Sequence, residues 1–149
     1  MPLFELAEPR IDVAIVCADF DVSLDFYHRR LGLEIAHDLQ IDTDRAVPSG
    51  LAPGPFRHVR LRAGDALIKL MQIDPPPVTD QGGFHAGVRW LTFFVRDLDD
   101  TIRHLSERSV PFLSKPIRGL AGWFVCAQAP DGVILEFVQL FPHAAQQDG

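Results

Sequence analysis

Apolar residues fall in two kinds of run along this chain, and the order of the runs repeats. "IDVAIVCA", Ile11 to Ala18, is almost continuously apolar, as a strand covered on both faces would be. The period then changes in "DFDVSLDFYHRRLG". Leu24, Tyr27 or His28, and Leu31 return at helical spacing, Asp21 is placed to cap a helix, and Gly32 to end it. "LEIAHDL" predicts a second strand, and Gln40 to Pro55, rich in Pro, Gly and Asp, predicts a loop. "FRHVRLRAGDALIKLMQI" predicts a hairpin turning at Ala-Gly-Asp. A proline- and glycine-rich linker follows, "DPPPVTDQGGFHAG", Asp74 to Gly87.

After the linker the pattern starts again. "VRWLTFFV" predicts a strand, "RDLDDTIRHLSERSV" a helix with Leu98, Ile102 and Leu105 on one face, "PFLSKPIR" a short strand or loop, and "GWFVCAQAPDGVILEFVQLF" a closing hairpin. "MPLFELAEPR" reads as an arm into the fold and "PHAAQQDG" as a polar tail. Setting "IDVAIVCADFDVSL" over "RWLTFFVRDLDDTI" aligns Asp19 with Asp97, Asp21 with Asp99, Ser23 with Thr101 and Leu24 with Ile102. Setting "ALIKLMQ" over "VILEFVQ" aligns Gln72 with Gln139. Two matched blocks in the same order imply a duplicated strand, helix and three strands, a βαβββ module at 11–73 and another at 88–141, joined by the linker at 74–87.

One residue breaks the last strand. In "APDGVILEFVQ", Val133, Ile134, Leu135, Phe137 and Val138 are apolar strand formers, and Glu136 stands among them. A carboxylate buried without a partner costs several kcal/mol, roughly 3 or more once its counter-charge is removed, so Glu136 must face something polar. The same register sets Lys69 opposite Glu136, and Asp12 opposite Trp90.

Composition narrows the function classes. The chain has 149 residues, 47% hydrophobic and 23% charged, within the range of ordinary globular domains. A net charge of -6 and no basic face exclude nucleic acid as the expected partner. No signal-like or membrane-length apolar run is visible, so a cytoplasmic protein without a membrane partner is expected. Cys17 and Cys126 sit in apolar strands without metal-type spacing and read as reduced thiols. No nucleophile elbow, phosphate loop or dinucleotide fingerprint is present.

"VAIVCADFDVSLDFYHRRLGLEI", "LTFFVRDLDDTIRHLSERSV" and "APDGVILEFVQ" resemble the vicinal oxygen chelate superfamily, the glyoxalase, bleomycin-resistance and extradiol-dioxygenase group. The resemblance covers roughly Ile11 to Leu140. It implies an α+β fold in which two βαβββ modules form a cupped half-barrel with helices outside, and it implies a homodimer. It also implies four metal ligands on the inner face: one near the start of each module's first strand and one on each last strand. Here those positions hold Asp12, Lys69, Trp90 and Glu136, and only Glu136 matches the family's pattern. Lys69 and Trp90 only donate, and Asp12 would suit a hard cation alone. The expectation is that Lys69 replaces the cation, with Glu136 facing it and Asp12 completing the cluster.

Glu136, Lys69 and Asp12 are thus candidate catalytic residues, with Glu136 the one candidate metal ligand; each also has an ordinary reading as a structural ion pair or a solvated side chain. Trp90, Phe94, Phe124 and Met71 would line a pocket or simply pack in a core, and Leu91, Phe93 and Val95 would face the helix. Arg60 and Arg62 would reach the rim and hold a ligand carboxylate, or be solvated. His58 and His85 lack a second histidine at paired spacing and are not expected ligands; His28, His37, His104 and His143 are placed away from the site. Two functions remain open. One is an enzyme of lyase, isomerase or dioxygenase type, in which Lys69 stabilises an oxyanion and Glu136 or Asp12 moves a proton. The other is a binding or resistance protein that holds an aromatic compound. No cofactor is expected; the alternative is a divalent Fe, Zn, Ni or Mn.

Overall fold

The computed structural model describes residues 2–78 and 83–142, in two compact units, Met1–Thr79 and Asp80–Gly149. The first unit runs β1 (Val13–Val16), helix α1 (Phe20–Leu24) continuing as a π-helix over Asp25–Arg30, β2 (Ile35–Ile41), α2 (Thr43–Ser49), β3 (Phe56–Ala63) and β4 (Ala66–Gln72). The second runs β5 (Trp90–Phe94), α3 (Leu98–Glu107), β6 (Ile117–Arg118), β7 (Gly122–Gln128) and β8 (Ile134–Leu140). Each unit forms a four-stranded sheet, ordered β1-β4-β3-β2 and β5-β8-β7-β6. The two orders are the same permutation, so the duplication expected from the sequence is present in the topology. The middle of the 74–87 linker and the tail with His143 lie outside the described residues.

In each sheet the first and last strands of the module pair in parallel, with Ala14 beside Lys69 and Thr92 beside Glu136. This matches the sequence alignment residue for residue. One face of each sheet meets the helix. Ile15, Cys17, Val59, Leu61, Ile68 and Leu70 are buried on that face in the first unit, with Phe26 and Tyr27 of the helix. Full burial of such side chains contributes about 1.5–3 kcal/mol each. Arg57 shares the face: its guanidinium lies 4.8 Å from the Phe20 ring centroid and makes a forked bond to Asp38, at 2.9 and 2.8 Å. In the second unit Leu135 and Phe137 point to the helix, Phe93 stacks on Phe137 at 5.4 Å, and Gln139 accepts the Leu98 N–H at 2.7 Å. The placement of Leu91 and Phe93 away from Trp90 and Phe94 holds by alternation and burial.

The turns follow from residue chemistry. Gly64 (φ 62°) opens the β3–β4 turn, and Gly132 (φ 95°) stands in the β7–β8 turn, where a side chain would be strained. Asp131 accepts the Val133 N–H at 3.1 Å there, which secures the "PDG" corner ahead of β8.

Two expectations are corrected. The cap of α1 is Asp19, which accepts the Val22 N–H; Asp21 lies inside the first turn. Gln40 to Pro55 is not all loop. Asp42 caps α2 through the Arg45 N–H, and Gly50 (φ 79°) ends it in the left-handed conformation. Ala46 of α2 packs on Phe56 and Met71, with Ile41, Ala52 and Ile73 around them. No helix among the described residues is long and apolar enough to cross a membrane.

Asp97 caps α3 through the Asp100 N–H at 2.9 Å, the counterpart of Asp19 in the first module. Asp97→Ala should lower stability by about 1 kcal/mol, as loss of a helix cap does. Urea denaturation would measure it, and an unchanged midpoint would show that this cap does not hold the helix.

Candidate functional site

Opposite the helix-covered face, each sheet has an open face, and strand alternation decides which side chains occupy it. In the first module that face carries Asp12, Lys69, Met71, His58 and Arg60; in the second it carries Trp90, Thr92, Phe94, Phe124, Cys126 and Glu136. All the site residues expected from the sequence therefore lie on the open face of their own sheet.

The polar side chains there have found local partners. Asp12 Oδ1 accepts the Leu67 N–H at 2.9 Å, and Asp12 Oδ2 lies 3.6 Å from Lys69 Nζ. Arg10 approaches the same carboxylate at 3.6 Å and also pairs with Glu8 at 2.6 Å. The Lys69–Asp12 half of the expected cluster is thus formed. Glu136, in the other module, is engaged by Thr92, whose hydroxyl donates to Oε1 at 2.8 Å. Thr92 in turn accepts the Trp90 indole N–H at 3.1 Å. Indole, hydroxyl and carboxylate form one directed chain, and this chain is what Glu136 faces.

Around it lies a cavity of about 310 Å³ lined by Phe84, Arg89, Trp90, Leu113, Cys126, Ile134 and Glu136. Trp90 is 56% exposed and Phe94 69% exposed, far more than the 0–5% of Leu135 and Phe137 on the opposite face. Burial, followed by the Glu136 charge, raises the Cys126 thiol above its ordinary value, which favours the protonated thiol at the cavity wall. Phe124 is half-buried beside Val138, and Met71 is buried against Ala46 and Phe56 under α2, where it also borders an apolar cavity of about 440 Å³.

The residues at the family's metal positions do not fit a metal. An ammonium and an indole N–H can only donate, and the Asp12 carboxylate is already occupied by a backbone N–H and two cations. Among the described residues no group of three or more His, Cys, Asp and Glu side chains stands together to hold an ion.

His58, not expected as a ligand, lies on β3 within the predicted hairpin, is 5% exposed, and packs edge-on against Phe56 at 5.7 Å. Burial first, then the Arg60 and Lys69 charges, hold its imidazole below the ordinary value, while Asp38 pulls the other way. His37 also lies on a strand, β2, opposite Arg60.

These features define a class of protein. The model of the Glyoxalase/Bleomycin resistance protein/Dioxygenase superfamily matches residues 11–137, and the chain belongs to that family. Among curated relatives, the uncharacterized protein YwkD of Bacillus subtilis (strain 168) is 26% identical over 110 residues, 72% of this chain and 79% of that protein. A glyoxalase family protein from Bacillus cereus superposes with a TM-score of 0.70 at 17% identity, over 95% of this chain and 99% of its own. TnmS3, an antibiotic binding protein from Streptomyces sp. CB03234, does so with a TM-score of 0.65 at 19% identity, over 92% of this chain and all (100%) of its own. At these identities the structural likeness concerns the fold.

Asp12 is held below its ordinary value near 3.8, first by the Leu67 N–H and then by Arg10 and Lys69, against burial that acts the other way. The folded chain therefore takes up this proton less readily than the unfolded chain. Its stabilising contribution is complete above the ordinary value and is lost as pH falls through the lower folded one. Asp12→Asn should flatten the stability profile below roughly pH 4; identical acid limbs for the variant and the parent would contradict the pairing. Thr92→Val removes both the donor to Glu136 and the acceptor of the Trp90 N–H. It should cost about 1 kcal/mol and shift the Trp90 indole proton resonance. An unmoved resonance would mean the chain of hydrogen bonds does not form in solution.

Proposed function

We propose that this protein binds a small planar organic molecule on the open face around Trp90 and Glu136, without a metal ion. The observation that carries the reading is the Trp90–Thr92–Glu136 chain beside the 310 Å³ cavity. It fixes an exposed aromatic face and a carboxylate in one place. The Thr92 bond occupies one carboxylate oxygen, and the other is free to accept an N–H or O–H from a ligand stacked on the indole. Lys69 stands where relatives put a metal ligand, and its charge is directed to Asp12 at 3.6 Å. This supports a site that has exchanged cation coordination for an internal ion pair. The fold shared with an antibiotic binding protein adds support for sequestration over turnover.

Elemental analysis of the purified protein, combined with a thermal-shift panel of divalent ions and planar aromatic compounds, tests the reading. No stoichiometric metal is expected, with stabilisation by aromatic compounds that Trp90→Ala weakens about tenfold or more. Tightly bound Fe, Zn, Ni or Mn at one per chain would overturn it in favour of a metalloenzyme.

A further inference from the structure

On β3 of the first module two polar atoms sit side by side with nothing to bond. His58 Nε2 and Arg60 Nε are both shielded from solvent, and neither has a hydrogen-bond partner among the described residues. The two residues are two apart on one strand, so both side chains point to the open face, about 7 Å apart at the backbone. Buried polar groups in folded proteins are nearly always bonded, and a neighbouring pair left over points to an acceptor supplied from outside the chain.

The charges on this module narrow that acceptor to an anion. Arg57 is bonded to Asp38, Arg10 to Glu8, and Lys69 to Asp12. Arg60 stands directly across from Lys69 in the strand register, and among the described residues no carboxylate pairs with it. Among the described residues the face thus carries guanidinium charge without a counter-charge, from Arg60 and from Arg62 two residues along, and Arg60 lies beside an imidazole packed against Phe56.

We propose that Arg60 and His58 form a recognition site for a single carboxylate of an organic ligand, with the guanidinium fork as the charged donor and His58 Nε2–H as the orienting one. A planar carboxylate matches the Arg fork through Nε and Nη. Arg60 as a residue is half-buried. The site lies wholly on the first module and is argued independently of the Trp90 cavity.

The test compares matched probes on the full chain: benzoate with benzamide, 1-naphthoate with 1-naphthamide, and inorganic phosphate, by titration calorimetry and by NMR of the Arg60 Nε–H and the His58 ring. The carboxylates should bind about ten- to a hundredfold more tightly than their amides, the range expected for a charged hydrogen-bonding site, and should shift both resonances. Arg60→Met should abolish the preference, and Arg60→Lys, which keeps the charge without the fork, should reduce it. His58→Phe should weaken carboxylate binding without lowering the thermal midpoint of the free protein, since it removes an unbonded buried atom. Equal binding of acid and amide, a preference that survives Arg60→Met, or shifts confined to the Trp90 indole would overturn the proposal. So would phosphate binding as tightly as the carboxylates. An absence of binding by every aromatic probe would overturn both this site and the Trp90 reading, whereas amide binding that depends on Trp90 alone would overturn only this one.

Discussion

In both modules the first and last strands run parallel and adjacent, and that pairing decides what each central polar side chain can touch. Ala14 lies beside Lys69, and Thr92 lies beside Glu136. The register is the same and the neighbours differ, so the outcomes differ. A methyl group offers nothing to an ammonium, and Lys69 reaches along β1 to Asp12. A hydroxyl directly beside a carboxylate donates to it at 2.8 Å, and Glu136 is held through one oxygen by Thr92. Equivalent positions thus use two different devices, an ion pair at Lys69 and a neutral hydrogen bond at Glu136.

The same pairing accounts for the contrast between faces. Once alternation sends Leu135, Phe137 and Gln139 toward α3, residues of the opposite parity must meet something other than a helix. In the second module they meet a cavity and open aromatic surface. In the first, α2 covers Met71 and Phe56 and leaves the Lys69 and Arg60 end of the face uncovered. Duplication supplied the scaffold, and the inserted helix made the two faces unequal.

Much of this was legible from residues alone. The repeat gave the βαβββ order, the Lys69–Glu136 and Ala14–Thr92 equivalence, and the face on which each candidate lies, because a period of 2 in a strand is a geometric constraint. Helix α2 was not legible. Pro48 and Gly50 give its segment the composition of a loop, and only Ala46 is buried, so there is no apolar period to read. Its one signal was Asp42 eight residues before a glycine, a cap and a stop. The cap of α1 was misplaced by two residues because Asp19 and Asp21 are chemically equivalent candidates, and only backbone geometry separates them.

The burial of His58 was not legible for a related reason. Alternation through "FRHVRLR" does set it on the same face as Arg60, but burial depends on what lies over the strand. Its ring neighbour Phe56 and its cross-strand partner Met71 are the residues that α2 packs against, and that helix was absent from the expected fold. A lone histidine on a strand, read from sequence, is a neutral option among many. The same histidine at 5% exposure, with a nitrogen lacking a partner and a guanidinium two residues away, is a constraint that the described residues do not meet. Side chains that a fold leaves unsatisfied in this way carry more information about ligands than those it has already paired, and for that reason the first module's contribution to binding is sought at Arg60 and His58 and not at Lys69.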